Sequence, residues 1–324
     1  MFIKGKYNTA KVFTNIIEDE AAAQIKELCD RPEFKDSQIR IMPDVHTGKG
    51  CTIGTTMTFT DKVVPNLVGV DIGCGVLVVK FEGDIPLDEL DVFIKNNIPS
   101  GFGVRSTPYS SLKTVNIEGL NCIEYVNIER AKLSLGTLGG GNHFIEIDKD
   151  TTGNNYLIIH SGSRNLGKQV AEYYQELAYK TIQEERNNKI REKIDNLKAA
   201  GMEYEIEDAI SKIKSEYDIP KHLAYLTGDN MTDYLSDVYI VQQYAAYNRE
   251  TIADIILNHF EKTAHINKLN VFETVHNYIE MCYDYYMLRK GAVASYEYQP
   301  LLIPLNMRDG LIIVTGKQIG RAHV

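Results

Sequence analysis

The stretch VVPNLVGVDIGCG, residues 63–75, is apolar and rich in glycine except for one carboxylate, Asp71, and one thiol, Cys74. Burying even a neutral polar group without a partner costs roughly 2–7 kcal/mol, and an unpaired carboxylate costs more. A segment of this composition is typical of a protein core, so these two side chains need an explanation. Either a ligand binds at Asp71 and Cys74, or the backbone turns there.

The sequence on both sides of this stretch is typical of β-structure. Between about residues 40 and 82, short β-branched runs alternate with Gly, Pro and Asp, which predicts strands joined by tight turns. Apolar side chains at helical spacing predict helices at 16–30, 86–97 and 117–133. Short runs typical of β-strands return after about residue 262. Strands and helices are therefore both expected in the core.

The segment from about residue 168 to 262 is helix-like and heavily charged. Charge in this pattern is typical of a solvated helical face, and we interpret the segment as a helical insertion. No internal repeat or low-complexity linker interrupts the chain. We therefore predict an α+β fold, with a single core of mixed β-sheets, flanking helices and this charged helical insertion.

The composition limits the classes of protein that the chain can represent. Its 324 residues are 44% hydrophobic with a net charge of −9, which argues against indiscriminate nucleic-acid binding through a lysine coat but leaves room for a local basic cleft. Five scattered cysteines without paired spacing suggest no disulfide framework. No run approaches the ~18 uninterrupted apolar residues of a membrane span. We expect a soluble, cytoplasmic protein with no membrane association.

Several short stretches place metal-capable side chains beside glycines or at the ends of predicted strands. They are PDVHTGKG (Asp44, His46), VDIGCG (Asp71, Cys74), GGGNHFIE (Asn142, His143, Glu146), IIHSGSR (His160) and ETVHNYIE (His276). A lone histidine is more often structural than a ligand, and Asp44 and His46 could simply cap a turn. Each stretch is weak evidence by itself.

The pair of Asp71 and Cys74 is a stronger indication of a metal site. A carboxylate and a thiolate three residues apart can converge on one cation, because Gly73 between them permits a bend. The alternative is a β-turn with a passively buried cysteine. With His143, His160 and His276 available, the set favours a metal.

The identity of the metal stays open at this level. A cysteine with several histidines is the usual zinc set. More than four candidate ligands and a spare carboxylate also suit one or two ions of the manganese type.

Phosphate binding is a further possibility for the glycine-rich loop GTLGGGNHF, whose backbone N–H groups could cradle an anion. The loop matches neither the Walker A nor the dinucleotide pattern, so an ordinary tight turn is the alternative. Arg164, Arg289 and Lys290 lie beside loop residues, where their cations could hold phosphate. We expect them to line a basic cleft around the metal, although each alone could be a surface charge.

Seven stretches together carry a resemblance to a known family. They are MPDVHTGKGCTIG, KVVPNLVGVDIGCG, GTLGGGNHFIEI, IHSGSRNLG, VHNYIE, RKGA and IPLNMRDG. In this order they resemble the RtcB family of RNA ligases, which join RNA ends with a 3′-phosphate or 2′,3′-cyclic phosphate to 5′-hydroxyl ends. The similarity extends from about residue 40 to Lys317.

The resemblance implies two manganese ions and GTP as cofactors. The implied metal ligands are Asp71, Cys74, His143, His160 and His276, with Cys74 bridging both ions. Asn142 would contact phosphate, while Phe144 and Glu146 would face the guanine nucleotide. The implied partners are RNA with the ends named above and an archease-type activator.

The chain departs from the family pattern near its end. The histidine that receives GMP in the family lies in a later HGAGR-type motif, and this sequence contains no such motif. Its last residues, QIGRAHV, match one reading frame of a common sequencing adapter. We therefore expect residues 1–317 to form an RtcB-like core that is incomplete at its C-terminus, and residues 318–324 to be a non-native tail.

Two other functions are open on the sequence alone. A metal-dependent phosphoesterase could use the same Asp, Cys and His ligands to activate water and would need no histidine nucleophile. A non-catalytic metal-binding or RNA-binding protein is the second. For the ligase interpretation, we expect this chain to be inactive in ligation, because the nucleophile is absent.

Overall fold

The computed structural model describes residues 1–110, 115–306, 308 and 310–317, so the predicted tail at 318–324 lies outside the described residues. The helices are α1 (Asp19–Cys29), α2 (Leu87–Asn97), α3 (Ile128–Ser134), α4 (Arg164–Ala199), α5 (Ile206–Glu216) and α6 (Gly228–Thr263). The strands are β1 (Phe2–Lys4), β2 (Thr9–Val12), β3 (Ile39–His46), β4 (Ile53–Phe59), β5 (Gly75–Glu82), β6 (Phe144–Lys149), β7 (Asn155–Ser161), β8 (Asn267–Val275), β9 (Asn277–Met281), β10 (Tyr286–Lys290), β11 (Pro300–Asn306) and β12 (Gly310–Thr315). The predicted α+β class is confirmed.

The strands form two sheets and a hairpin. The larger sheet has the order β1-β2-β3-β4-β10-β9, and the smaller one has the order β6-β7-β5-β8. Strands β11 and β12 pair with each other as an antiparallel hairpin. All neighbours in the smaller sheet are antiparallel.

Strand β5 is one of the two inner strands of the smaller sheet and is buried on both faces. Leu77 and Val79 point to one face and pack in a cluster with Ile252 and Ile256 of α6. Val78 points to the other face and packs in a cluster with residues of β7 and β11. Burial of each such side chain contributes about 1.5–3 kcal/mol, which explains why β5 reads as a continuous apolar run.

The helical segment after residue 168 packs as part of the same core. Helix α6 supplies residues to both large hydrophobic clusters, Val238 and Val241 to one and Ile252 and Phe260 to the other. That the segment is an insertion stays a prediction. No helix in the described parts of the chain is both long and apolar enough to span a membrane.

The helix predicted over 117–133 was wrong in extent. The structure has two short 3-10 turns in its place, followed by α3. The backbone N–H groups of Asn121 and Cys122 donate to the carboxylate of Asp237 on α6, at 2.8 and 3.0 Å, which withdraws them from helical bonding. Asn127 then caps α3 by accepting from the N–H of Arg130 at 2.8 Å.

Candidate metal centre

The five predicted ligands meet at one end of the smaller sheet, where its strands begin or end. Cys74 directly precedes β5, His160 lies near the end of β7, and His276 follows β8. Since β5 runs antiparallel to both neighbours, Gly75 at its start pairs with the last residues of β7 and β8. His143 directly precedes β6, whose first residue pairs with His160.

The ligand atoms form two overlapping triads. In the first, the Cys74 Sγ lies 3.3 Å from His160 Nε2, which lies 3.4 Å from His276 Nε2. In the second, His143 Nε2 lies 3.0 Å from Asp71 Oδ2 and 3.5 Å from the same Sγ. Within each triad the ligand atoms all lie within 4.8 Å of one another, and Cys74 belongs to both. Asp71 and His143 are thus joined to the other two histidines through one thiol.

A tight turn brings Asp71 and Cys74 to this position. The Cys74 N–H donates to the Asp71 carbonyl at 3.2 Å, and Gly73 between them has a φ of +76°. A Cβ at Gly73 would lie 2.8 Å from the Cβ of Ala245 and 3.0 Å from the Cα of Gln242, both on α6. The β-turn that was the alternative to a metal site is therefore present. Its thiol nevertheless also faces the histidines.

Backbone carbonyls orient two of the imidazoles. The Nδ1 atoms of His143 and His160 lie 2.9 Å from the carbonyls of Leu138 and Asn142, respectively. A carbonyl only accepts, so each Nδ1 carries a proton and donates it. In a neutral imidazole of this tautomer, Nε2 presents a lone pair to the cluster, as in metal-binding histidines.

The donor set fits a cation. Because His143 donates from Nδ1 to the Leu138 carbonyl, its Nε2 faces the Asp71 carboxylate, 3.0 Å away. Two acceptors this close need either a proton or a cation between them. The same residues, Asp71 with Cys74 and the histidines, are ligand types that divalent metals use. We conclude that the residues present are suited to hold one or two divalent ions.

Burial keeps two of the histidines neutral. It lowers the pKa of His160 to about 4 and that of His276 to about 3, and the neighbouring imidazoles act in the same direction. Metal ligation requires the neutral imidazole. Both side chains are therefore in the ligand form at pH 7.

The acidic ligands respond in opposite ways to the same surroundings. Burial raises the pKa of Asp71, but the hydrogen bond and charge of His143 outweigh it, so the pKa lies below its usual range. Burial, with the charge of Asp71, holds the pKa of the Cys74 thiol well above its usual range. A bound cation deprotonates a coordinating thiol. Metal uptake at neutral pH should therefore release a proton from Cys74.

The metal-free protein is expected to lose stability as pH falls from about 6.5 toward 4. Unfolded histidine takes up a proton near pH 6.5, whereas folded His160 does so only near pH 4 and His276 near pH 3. The unfolded state therefore binds more protons in this window, and each histidine costs up to about 2 kcal/mol by pH 5. Thermal unfolding of chelator-treated protein between pH 7.5 and 5 measures the effect. The His160→Gln/His276→Gln variant should show a flatter profile, and an equally steep one would contradict the assignment.

Comparison with known proteins identifies the family. The sequence matches the family described as tRNA-splicing ligase RtcB over residues 24–121 and 108–323. The chain belongs to the RtcB family. It is similar to RNA-splicing ligase RtcB1 of Escherichia coli strain ATCC 25922, with 30% identity over 93% of this chain and 74% of the relative. RNA-splicing ligase RtcB of strain K12 is 29% identical over the same shares, and tRNA-splicing ligase RtcB of Nanoarchaeum equitans is 24% identical over 96% of this chain and 76% of its own.

The three residues predicted to contact nucleotide lie beside the centre of this RtcB protein. The backbone carbonyl of Asn142 accepts from His160, while its side chain is exposed. The Phe144 ring stands edge-on to the His160 ring with centroids 5.3 Å apart. Glu146 is two residues further along β6 and half-buried, and burial followed by the charge of Asp148 raises its pKa. Their roles toward nucleotide stay predictions.

Arg164 is the predicted phosphate-binding cation that the structure brings to the centre. It begins α4 and donates from Nε to Thr137 Oγ1 at 3.1 Å and from Nη2 to the Gly101 carbonyl at 3.0 Å. Burial lowers its pKa, whereas the nearby charge of Asp71 raises it. The backbone N–H of Ser163, directly before it, donates to Asp71 Oδ1 at 3.1 Å, so Arg164 lies beside the Asp71 end of the centre.

The structure does not place Arg289 and Lys290 in the open basic cleft that was expected around the metal. Arg289 is buried and donates from Nη1 to Glu280 Oε2 at 2.6 Å. Lys290 is buried too, and its ammonium donates to the carbonyls of Lys49, Cys51 and Asn66. Both cations are buried as well as bonded to protein groups, whereas Arg164 is only half-buried, so Arg289 and Lys290 do not line an open cleft here. Their role toward RNA stays a prediction.

Two residues adjacent to the centre were missed in the sequence. Asn248 and Arg249 are fully buried on α6 and bond to the segments that carry the ligands. The available indication was an Asn-Arg pair directly after the apolar stretch YAAY, residues 244–247. A buried arginine is rare unless it is paired, so its helical position could have marked it.

Proposed function

We propose that this RtcB protein is an RNA ligase that joins 3′-phosphate or 2′,3′-cyclic phosphate ends to 5′-hydroxyl ends through GTP-dependent guanylylation. The observation that carries the proposal is the pair of overlapping triads that share Cys74. We propose that these triads hold two Mn²⁺ ions, with Cys74 between them. Family membership supports RNA as the substrate class.

The ligand chemistry is compatible with manganese. A site made only of cysteine and histidine would favour zinc, whereas the carboxylate of Asp71 adds the oxygen ligand that manganese prefers. When bound, such ions neutralise phosphate charge and align an in-line attack.

The protein's own side chains complete the proposed site. His143 and His160 are held by backbone carbonyls, so their Nε2 atoms need little reorganisation to bind a ligand. The exposed Asn142 amide can donate to a phosphate oxygen, and Arg164 supplies a cation on the Asp71 side. Phe144 and Glu146 offer an apolar surface and a carboxylate acceptor for guanine.

The proposal also includes a cellular location and a partner protein. We propose a cytoplasmic location, supported by five free cysteines, four of which are buried. An archease-type activator is part of the same proposal through the family resemblance.

We expect no covalent GMP adduct on this 324-residue chain. In the family, the histidine that receives GMP lies in an HGAGR-type motif, which the 324 residues do not contain. Incubation with GTP and Mn²⁺ followed by intact-protein mass spectrometry tests this. An otherwise identical chain extended by a C-terminal segment that carries this motif should carry GMP. An adduct on the 324-residue chain would contradict the expected inactivity, and none on the extended chain would contradict the ligase proposal.

A metal-dependent phosphoesterase is the second candidate function. It is favoured because all five ligands lie within the described residues and metal-activated hydrolysis needs no HGAGR-type histidine. In that case the 324-residue chain with Mn²⁺ should open a 2′,3′-cyclic phosphate RNA end without GTP, and the Cys74→Ala variant should not. A chain that binds metal and RNA but performs neither reaction would be the non-catalytic alternative.

A further inference from the structure

Helix α6 contacts the metal centre through two consecutive buried residues. Asn248 and Arg249 both have no exposed surface, although they are polar and charged. They lie midway along a helix whose buried side chains are mostly apolar, with Asp237 and Thr251 as its other buried polar residues. Residues of this kind are retained in a core only when their hydrogen bonds are satisfied or when they serve another purpose.

Asn248 joins two ligand-bearing segments. Its Oδ1 accepts from the N–H groups of Gly136 and Thr137 at 2.8 and 3.3 Å. Its Nδ2 donates to the Thr137 carbonyl and the Ser161 hydroxyl, both at 3.1 Å, and to the Gly162 carbonyl at 3.4 Å. The first segment leads into the loop that ends at His143, and the second directly follows His160. One amide side chain thus sets the spacing between two imidazoles.

Arg249 bonds to β7, to β8 and to the turn that precedes β5, at the same end of the smaller sheet. Its Nη1 donates to the carbonyls of Gly73 and Ser161 at 2.7 and 2.6 Å. Its Nε donates to Glu273 Oε1 on β8 at 2.5 Å. Gly73 is adjacent to Cys74, and Ser161 is adjacent to His160. The guanidinium is therefore bonded to the backbone beside two ligands.

The chemistry of the arginine side chain suits this task. Its planar guanidinium presents several N–H donors in a fixed arrangement, whereas a lysine ammonium does not. Among the described residues, Nη2 of Arg249 has no hydrogen-bond partner although it is buried. A buried arginine with an unsatisfied donor is a poor choice for stability alone, since an apolar residue of similar volume would do as well. Besides its ion pair with Glu273, Arg249 bonds to the backbone beside two ligands.

We propose that Arg249 and Asn248 are positioning residues for the metal centre. They hold the turn at Cys74, the end of β7 and the loop before His143 in the arrangement that lets the ligands converge before a metal binds. The inference rests on the proposed metal site and adds the residues that preorganise it. Partners that orient ligands in this way typically change metal affinity by about 10- to 100-fold.

Co²⁺ binding tests the inference, because a cobalt–thiolate bond gives a charge-transfer absorption band that reports ligation by Cys74. The full 324-residue chain is titrated with Co²⁺ alone at a temperature where circular dichroism shows each variant folded. We expect Arg249→Met and Asn248→Ala to bind Co²⁺ about 10- to 100-fold more weakly than wild type, with a shifted or weakened band.

Asp237→Asn is the matched control. Asp237 is a fully buried charged residue on the same helix, and its partners are Asn121, Cys122 and Tyr174 rather than any ligand-bearing segment. It should lower the melting temperature but leave the Co²⁺ affinity and band unchanged. If Arg249→Met does not fold, Arg249→Lys, which keeps the charge and loses the planar donor arrangement, decides the question by the same titration.

Each outcome is decisive. A folded Arg249 variant with wild-type Co²⁺ affinity and band would overturn the positioning role. An equal loss of affinity in Asp237→Asn would also overturn it, since the effect would then follow stability alone. If wild-type protein binds no Co²⁺, the proposed metal centre fails and the inference fails with it.

Discussion

Replacing Cys74 by alanine is expected to lower Mn²⁺ affinity by at least about 100-fold for both ions. The thiol belongs to both triads, so its removal takes a ligand from each. Loss of an outer-shell partner alone costs about 10- to 100-fold, and loss of a shared ligand should cost more. Electron paramagnetic resonance measures the effect, because free Mn²⁺ gives a strong six-line signal that decreases as the protein binds it.

Cys122→Ala is the control for this prediction. Cys122 is fully buried, like Cys74, but its contacts are with Asp237 rather than with a histidine. Its replacement should cost stability through the lost packing and leave Mn²⁺ binding intact. Wild-type Mn²⁺ affinity in Cys74→Ala would contradict the assignment of the shared ligand.

Replacing Gly73 by alanine is expected to destabilise the protein by about 2–5 kcal/mol. A left-handed φ costs an alanine roughly 1–2 kcal/mol, and forcing a methyl group into a packed site adds about 1–3 kcal/mol. Here the added Cβ would lie 2.8 Å from Ala245 and 3.0 Å from the backbone of Gln242. Urea unfolding followed by circular dichroism gives the free energy of unfolding.

Gly153→Ala separates the cost of the left-handed φ from the cost of the steric contact with α6. Gly153 also has a positive φ, +88°, but a Cβ there would meet nothing within 4 Å. We expect it to lose only about 1–2 kcal/mol. Equal losses of unfolding free energy in the two variants would show that a Cβ at Gly73 makes no costly contact with α6. A larger loss in Gly73→Ala, accompanied by weaker Mn²⁺ binding, would support the close contact between this turn and the helix.

The fold class and the ligand types could be predicted from the sequence because they depend on local patterns. The apolar run after Cys74 reads as a buried strand, and it is β5. The turn at Gly73 was one of two alternatives, and the glycine in it was the reason to consider a bend. That His143, His160 and His276 meet this turn depends on strand order, which residue spacing does not determine.

Other features depend on partners that are distant in the sequence. The predicted helix over 117–133 is interrupted because Asp237, more than a hundred residues later, accepts its N–H groups. Lys290 was predicted to hold phosphate because it lies beside loop residues, but its ammonium donates to three backbone carbonyls. Arg249 was overlooked because a charged helix usually directs its arginines to solvent. In each case a tertiary contact overrides the local pattern.

A Mn²⁺ titration of the wild-type chain beside Cys74→Ala shows whether the two triads form one centre for two metal ions. We expect two bound Mn²⁺ per wild-type chain, with a spectrum altered by magnetic coupling between neighbouring ions. We also expect binding to be lost in Cys74→Ala and kept in Cys122→Ala. A wild-type chain that binds no Mn²⁺, or only one ion whose binding does not depend on Cys74, would contradict a shared centre for two ions.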